Sequence, residues 1–180
     1  MYSALIHSGI PVDDNKKIWK MKIPLKLKFF AWYLRKEVIL TKDNLFKSNW
    51  QGSTKCVFCP QEETIKHFFF QCMIAHSIWS AIQIVSNLYP SRLVANIFGN
   101  WLHSVDMKAR TIIRVRALAV IWSLWLCRND KVFNNSNIQM HKFAPFVVHN
   151  TTCGKSRPFF EAVFTTEVHD EEYFYPTWMA

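Results

Sequence analysis

The sequence predicts a mainly α-helical chain: a small helical domain, then a long apolar helix, then a weakly ordered tail. Three observations carry this. Apolar residues recur at three- and four-residue spacing over several stretches. Only four glycines occur in 180 residues, too few for a turn-dense β fold or a Gly-rich phosphate loop. Half the residues are apolar and 16% are aromatic, enough to fill a packed interior.

The elements follow in order. Residues 1–15 form an N-terminal segment, and a domain is expected over 16–90. From Lys16 the pattern turns helical. Pro24 suits a first helical turn, and "LKLKFFAWYLRKE" puts Leu27, Phe30 and Leu34 on one face, with Lys28, Arg35 and Lys36 around Trp32 on another. Thr41 is a plausible N-cap for a short helix, "KDNLFKSN", with Asp43 near its positive end. "WQGST" interrupts the pattern. After a cysteine-rich stretch, Ile74, Ile78, Ala81, Ile82 and Val85 recur at helical spacing until Pro90. A helical extension is expected over 91–133, with a helix starting after 100–104 and running through "MKARTIIRVRALAVIWSLWLCRND". Its second half is apolar nearly all round, so its own domain or a partner must cover it. "NNSN" at 134–137 marks a boundary, and 134–180 reads as a weakly ordered acidic tail or fragment.

The stretch "KCVFCPQEETIKHFFFQC" holds three of the five cysteines and one of the seven histidines. Cys56-x-x-Cys59 can turn back so that both sulfurs meet one ion, the spacing of structural zinc sites. His67 and Cys72 lie five apart, about 140° round an ideal helix, so a helix beginning near Thr64 must bend or end before Cys72 if both are to converge. A second choice of fourth ligand is His76, since Cys72 and His76 are four apart and face the same way. Spacing alone favours His76 and leaves His67 open. Either set is a closed arrangement of one structural zinc ion, which stabilises a fold rather than performing catalysis. A redox dithiol at Cys56 and Cys59 lacks the usual βαβ setting. Cys127 and Cys153 read as lone thiols, His169 as solvated, and "HFFF" as core packing.

The formal charge of +9 is uneven: residues 1–50 carry ten Lys or Arg against four acids, and the last thirty residues reverse the balance. A basic front half suits a polyanion, because neutralised phosphates release counterions. The expected contacts are Lys20, Lys22, Lys26, Lys28, Trp32, Arg35 and Lys36, with nucleic acid, RNA or DNA, bound at low sequence specificity. The competing expectation is protein interaction through the apolar helix 112–127, with Trp122 and Trp125 docking onto a polymerase or another chain. No signal peptide is apparent, which points to a reducing compartment, nucleus or cytoplasm, with thiols free or metal-bound. The longest apolar run, "ALAVIWSLWLC", is eleven residues where a bilayer needs roughly 20, so no membrane is expected.

The features "WKMKIP.LK", "K.FFAW", "LTKDNL", "CVFC", "ETIKHFFFQC" and a Trp seven residues later together resemble the zinc-binding domain attached to reverse transcriptases of plant LINE-type (non-LTR) retroelements. This covers residues 18–79, and "ALAVIWSLWLCRNDKVFN" extends the similarity to about residue 134. The resemblance implies Cys56, Cys59, His67 and Cys72 as ligands and so favours His67 over His76. Polymerase and RNase H carboxylate sets are not expected: Asp13-Asp14 lies in a Pro-led segment without the required setting. The chain therefore reads as a non-enzymatic remnant of a retroelement polyprotein.

Overall fold

A computed structural model describes residues 12–86, 92–98, 101, 102 and 105–135. The N-terminal eleven residues and the tail from 136 onward lie outside the described residues, as do Pro90, Cys153 and His169. Among the described residues there are six α-helices and one π-helical turn: α1 (Val12–Lys20), α2 (Leu25–Arg35), α3 (Lys42–Lys47), the π turn (His67–Gln71), α4 (Met73–Ser86), α5 (Val94–Phe98) and α6 (Met107–Asn134). Among the described residues there is no strand, only an isolated antiparallel bridge between Lys55 and Glu62.

α2 buries Leu27, Phe30, Ala31 and Leu34, the expected stripe with one addition. Pro24 sits one residue earlier than expected, as the N-cap, where its missing N–H costs nothing. α2 and α3 end alike. Glu37 (φ 56°) and Asn49 (φ 63°) adopt the left-handed conformation. Val38 N–H reaches back to the Tyr33 carbonyl, and Trp50 N–H to that of Leu45, both at 3.1 Å. These are Schellman closures, which favour glycine at the left-handed position. Glu37→Gly is therefore expected to raise stability by roughly 0.5–1 kcal/mol, the relief of left-handed strain less the added freedom of the unfolded chain. A urea midpoint that fell on this substitution would contradict the assignment.

α5 had no sequence signal and is a short helix burying Val94, Ile97 and Phe98. α6 starts at Asp106, whose carboxylate accepts from the Lys108 and Ala109 N–H groups, and stops at Asn135, which is left-handed. Its apolar half is covered by the chain itself. Ala117 through Leu124 are all buried. Trp122 packs edge-on to Phe30 of α2, with ring centroids 4.9 Å apart. The core thus runs from Ile18 on α1 through Phe30 and Phe69 to Leu118, Ile121 and Trp122 on α6.

Candidate metal centre

The cysteine pair lies on a short hairpin. Cys56 N–H donates to the Gln61 carbonyl at 2.7 Å and Glu63 N–H to the Thr54 carbonyl at 2.9 Å, closing a loop over 54–63. Within it Phe58 N–H points at the Cys56 sulfur, 3.5 Å away, the turned-back arrangement that frees both thiols for one point. Lys55 pairs with Glu62 at 2.7 Å across the loop's base, an exposed contact of small energetic weight. Phe58 stacks on Phe68 at 5.8 Å and fixes the loop to the core.

The other pair comes from the π turn. Thr64 Oγ1 accepts from the His67 N–H at 3.1 Å, a side-chain cap that starts a helical turn and sets His67 in its first coil. Helical bonding continues with Phe68 N–H to Thr64 O at 2.8 Å, but Cys72 N–H reaches the His67 carbonyl, five residues back, at 2.7 Å. The wider turn brings two side chains that an α-helix would hold about 140° apart to the same side. The Phe69 carbonyl within this turn accepts from Trp79 Nε1–H at 2.8 Å. Phe68, Phe69 and Phe70 are all buried, with Phe70 stacked on Trp79. "HFFF" is core packing, as expected, and its position is what aims His67.

Cys72 then leaves the turn with extended backbone (ψ 142°) and accepts the first backbone bond of α4, from His76 N–H at 2.8 Å. Its sulfur therefore lies at the positive end of a 14-residue helix. The four donor atoms of Cys56, Cys59, His67 and Cys72 lie within 4.8 Å of one another. The Cys56 and Cys72 sulfurs are 3.9 Å apart, and those of Cys72 and Cys59 are 4.0 Å apart. A tetrahedral zinc site with bonds of about 2.3 Å to sulfur has edges of roughly 3.8 Å, so these spacings fit. Cys59 Sγ and His67 Nε2 are closer, at 3.1 Å. His76 is not in the group: it is exposed on α4, with Ser80 Oγ 3.5 Å from its Nδ1.

Without metal, the electrostatics divide the ligands. The Cys56 thiol is held far above its ordinary range, first by its hydrogen bond to Cys72 and then by burial. Cys72 is drawn down, chiefly by that same bond, with the Ile74 N–H helping against burial. Burial lowers the His67 pKa, against a smaller upward pull from Glu63, so its imidazole stays in the neutral form that binds metal. Residues 1–79 match the family described as zinc-binding in reverse transcriptase.

Over these residues the chain is similar to that zinc-binding domain of reverse transcriptases. No curated protein and no solved structure matches the chain. The domain's four sulfur and nitrogen donors suit one zinc ion and leave no place for a fifth group, the pattern of a structural site.

The sequence carries no local signal for a buried ion pair that lies next to the site. Glu63, fully buried, accepts from Arg128 Nη2 at 2.9 Å and Nε at 3.3 Å through its Oε1, which also accepts from the Lys42 N–H at 3.1 Å. Arg128 further donates to the Leu40 carbonyl at 3.4 Å and lies over the Trp125 ring. Glu63 replaces Thr41 as the side-chain cap of α3, since the Thr41 hydroxyl turns to Asp43 and Ile39 instead. The pair joins α6 to the zinc-binding domain 65 residues away in sequence.

The expected nucleic-acid residues fall in two groups. Lys20 and Lys22 are exposed, and Lys26 and Lys28 are half-buried on α2. Lys28 Nζ donates to the Trp19 carbonyl at 3.1 Å. Trp32 is half-buried against Tyr33, and the Arg35 guanidinium lies 5.8 Å from the Phe98 ring centroid, turned towards α5. Trp122 and Trp125, the proposed docking residues of helix 112–127, point into the core against Phe30.

Proposed function

We propose that the chain is a non-catalytic zinc-stapled module, derived from a plant LINE-type reverse transcriptase, that holds nucleic acid on the surface of α1 and α2. The carrying observation is charge: residues 15–36 contain eight Lys or Arg and no acid, and Lys16, Lys17, Lys20 and Lys22 are exposed on α1 and the turn after it. Zinc acts at a distance from this face. It fixes the loop and the π turn, these bury Phe68 and Phe69, and Phe69 in turn packs against Phe30 of α2 at 6.4 Å.

The contacts are to phosphate, which gives affinity without sequence preference. Affinity should fall steeply with salt, in proportion to the number of phosphates neutralised. Replacing Lys20, Lys22 and Lys26 together by Glu should weaken binding and flatten the salt dependence by about one in log–log slope for each lysine engaged. Arg35 is left unchanged in this test because it packs on Phe98. Affinity that ignored both salt and charge reversal would refute the reading.

A further inference from the structure

Where α1 meets α2 the surface is aromatic as well as basic. Trp19 and Phe29 meet edge to face, centroids 5.5 Å apart, and each keeps 41% of its surface exposed. Tyr33 follows Phe29 one helical turn on and is 39% exposed. Large rings left in solvent beside a core that has room for Phe30, Phe68, Phe69 and Trp122 call for an occupant. Lysines frame them: Lys20 and Lys22 follow Trp19, Lys26 lies one turn from Phe29, and the Lys28 ammonium holds the Trp19 carbonyl. The centre of a protein-docking patch is depleted in charge, whereas rings interleaved with cations complement a chain that alternates bases with phosphates.

Resting on the nucleic-acid reading above, we infer that Trp19 and Phe29, continued by Tyr33, form a stacking platform for unpaired bases. A duplex keeps the faces of its bases inside the stack and offers this surface only phosphates. A single strand offers both. The platform therefore makes the module prefer single-stranded RNA or DNA, with the lysines supplying affinity and the rings supplying the preference. It also moves the aromatic contact from the half-buried Trp32 to three exposed rings.

The test uses the full zinc-loaded chain, with fluorescence anisotropy on labelled oligo(dT), oligo(rU) and a mixed-sequence duplex of equal length at matched salt. Wild type should bind the single strands more tightly than the duplex. Trp19→Leu and Phe29→Leu, which keep apolar bulk, should each weaken single-strand binding roughly 5- to 150-fold, leaving duplex affinity and the salt slope unchanged. Trp19→Phe should retain most of the binding, and zinc content should match wild type in every variant. Unchanged single-strand affinity in both leucine variants would overturn the platform while leaving the basic face intact. Wild type binding neither strand nor duplex would overturn both readings. Leucine variants that lost self-association but kept oligonucleotide binding would assign the rings to a protein contact and overturn the platform.

Discussion

Removing zinc with a chelator should unfold the loop over 54–63 and the π turn together, with loss of near-ultraviolet circular dichroism and exposure of Trp79. The reason lies in what else holds them. Two backbone hydrogen bonds, one exposed ion pair and the Phe58–Phe68 stack hold the hairpin, and only Glu63 at its end is tied to the core by a buried ion pair. Structural zinc contributes an apparent binding free energy of about 10–16 kcal/mol in small zinc-dependent domains near pH 7, as much as the whole net stability of an ordinary domain, about 5–15 kcal/mol. Phe58, Phe68 and Phe69 connect the site to the core, so loosening should spread to α2 and lower the melting temperature. A melting curve unchanged after verified metal loss would show that packing alone sets the loop.

The pH dependence has a definite sign. Every ligand must shed or lack a proton to bind, and without metal the Cys56 thiol keeps its proton because it donates to Cys72 and is buried. Zinc uptake therefore releases protons, and zinc affinity should rise with pH.

The second large effect is expected at Arg128. Replacing it with Met leaves the Glu63 carboxylate buried without its counter-ion, a change that typically costs about 3–5 kcal/mol. It also frees the Leu40 carbonyl and weakens the carboxylate that caps α3. Glu63→Gln in the Arg128→Met background should recover part of the loss, because a neutral amide still accepts from the Lys42 N–H and no buried charge remains. Urea unfolding of the zinc-loaded proteins measures both. A loss below about 1 kcal/mol for Arg128→Met would mean that water reaches the pair.

How much of this was legible in the sequence varies with the range of the interaction. Local signals read well: the α2 stripe, the cap position at Thr41, the start of α6 near Asp106 and its stop at Asn134 depend on neighbours within a turn. The cysteine pair was legible because a turned-back loop is also local. The choice between His67 and His76 was not, because an ideal helix was the reference and the π turn departs from it. Residue spacing favours His76, whereas the likeness of "ETIKHFFFQC" to a known pattern favours His67, the histidine whose ring nitrogen lies with the three sulfurs. The Glu63–Arg128 pair could not be read, since its members are 65 residues apart and each looks like an ordinary surface charge. Trp122 and Trp125 were legible as needing cover, but not that Phe30 and Phe69 would cover them.

The central claim is that Cys56, Cys59, His67 and Cys72 hold one zinc ion and that His76 takes no part. Metal content of wild type, His67→Ala and His76→Ala, purified without chelator, tests it directly. One zinc per chain is expected in wild type and in His76→Ala, with zinc lost or held far more weakly in His67→Ala. A wild type without stoichiometric zinc, or a pair of variants in which His76→Ala loses the metal and His67→Ala keeps it, would contradict the account.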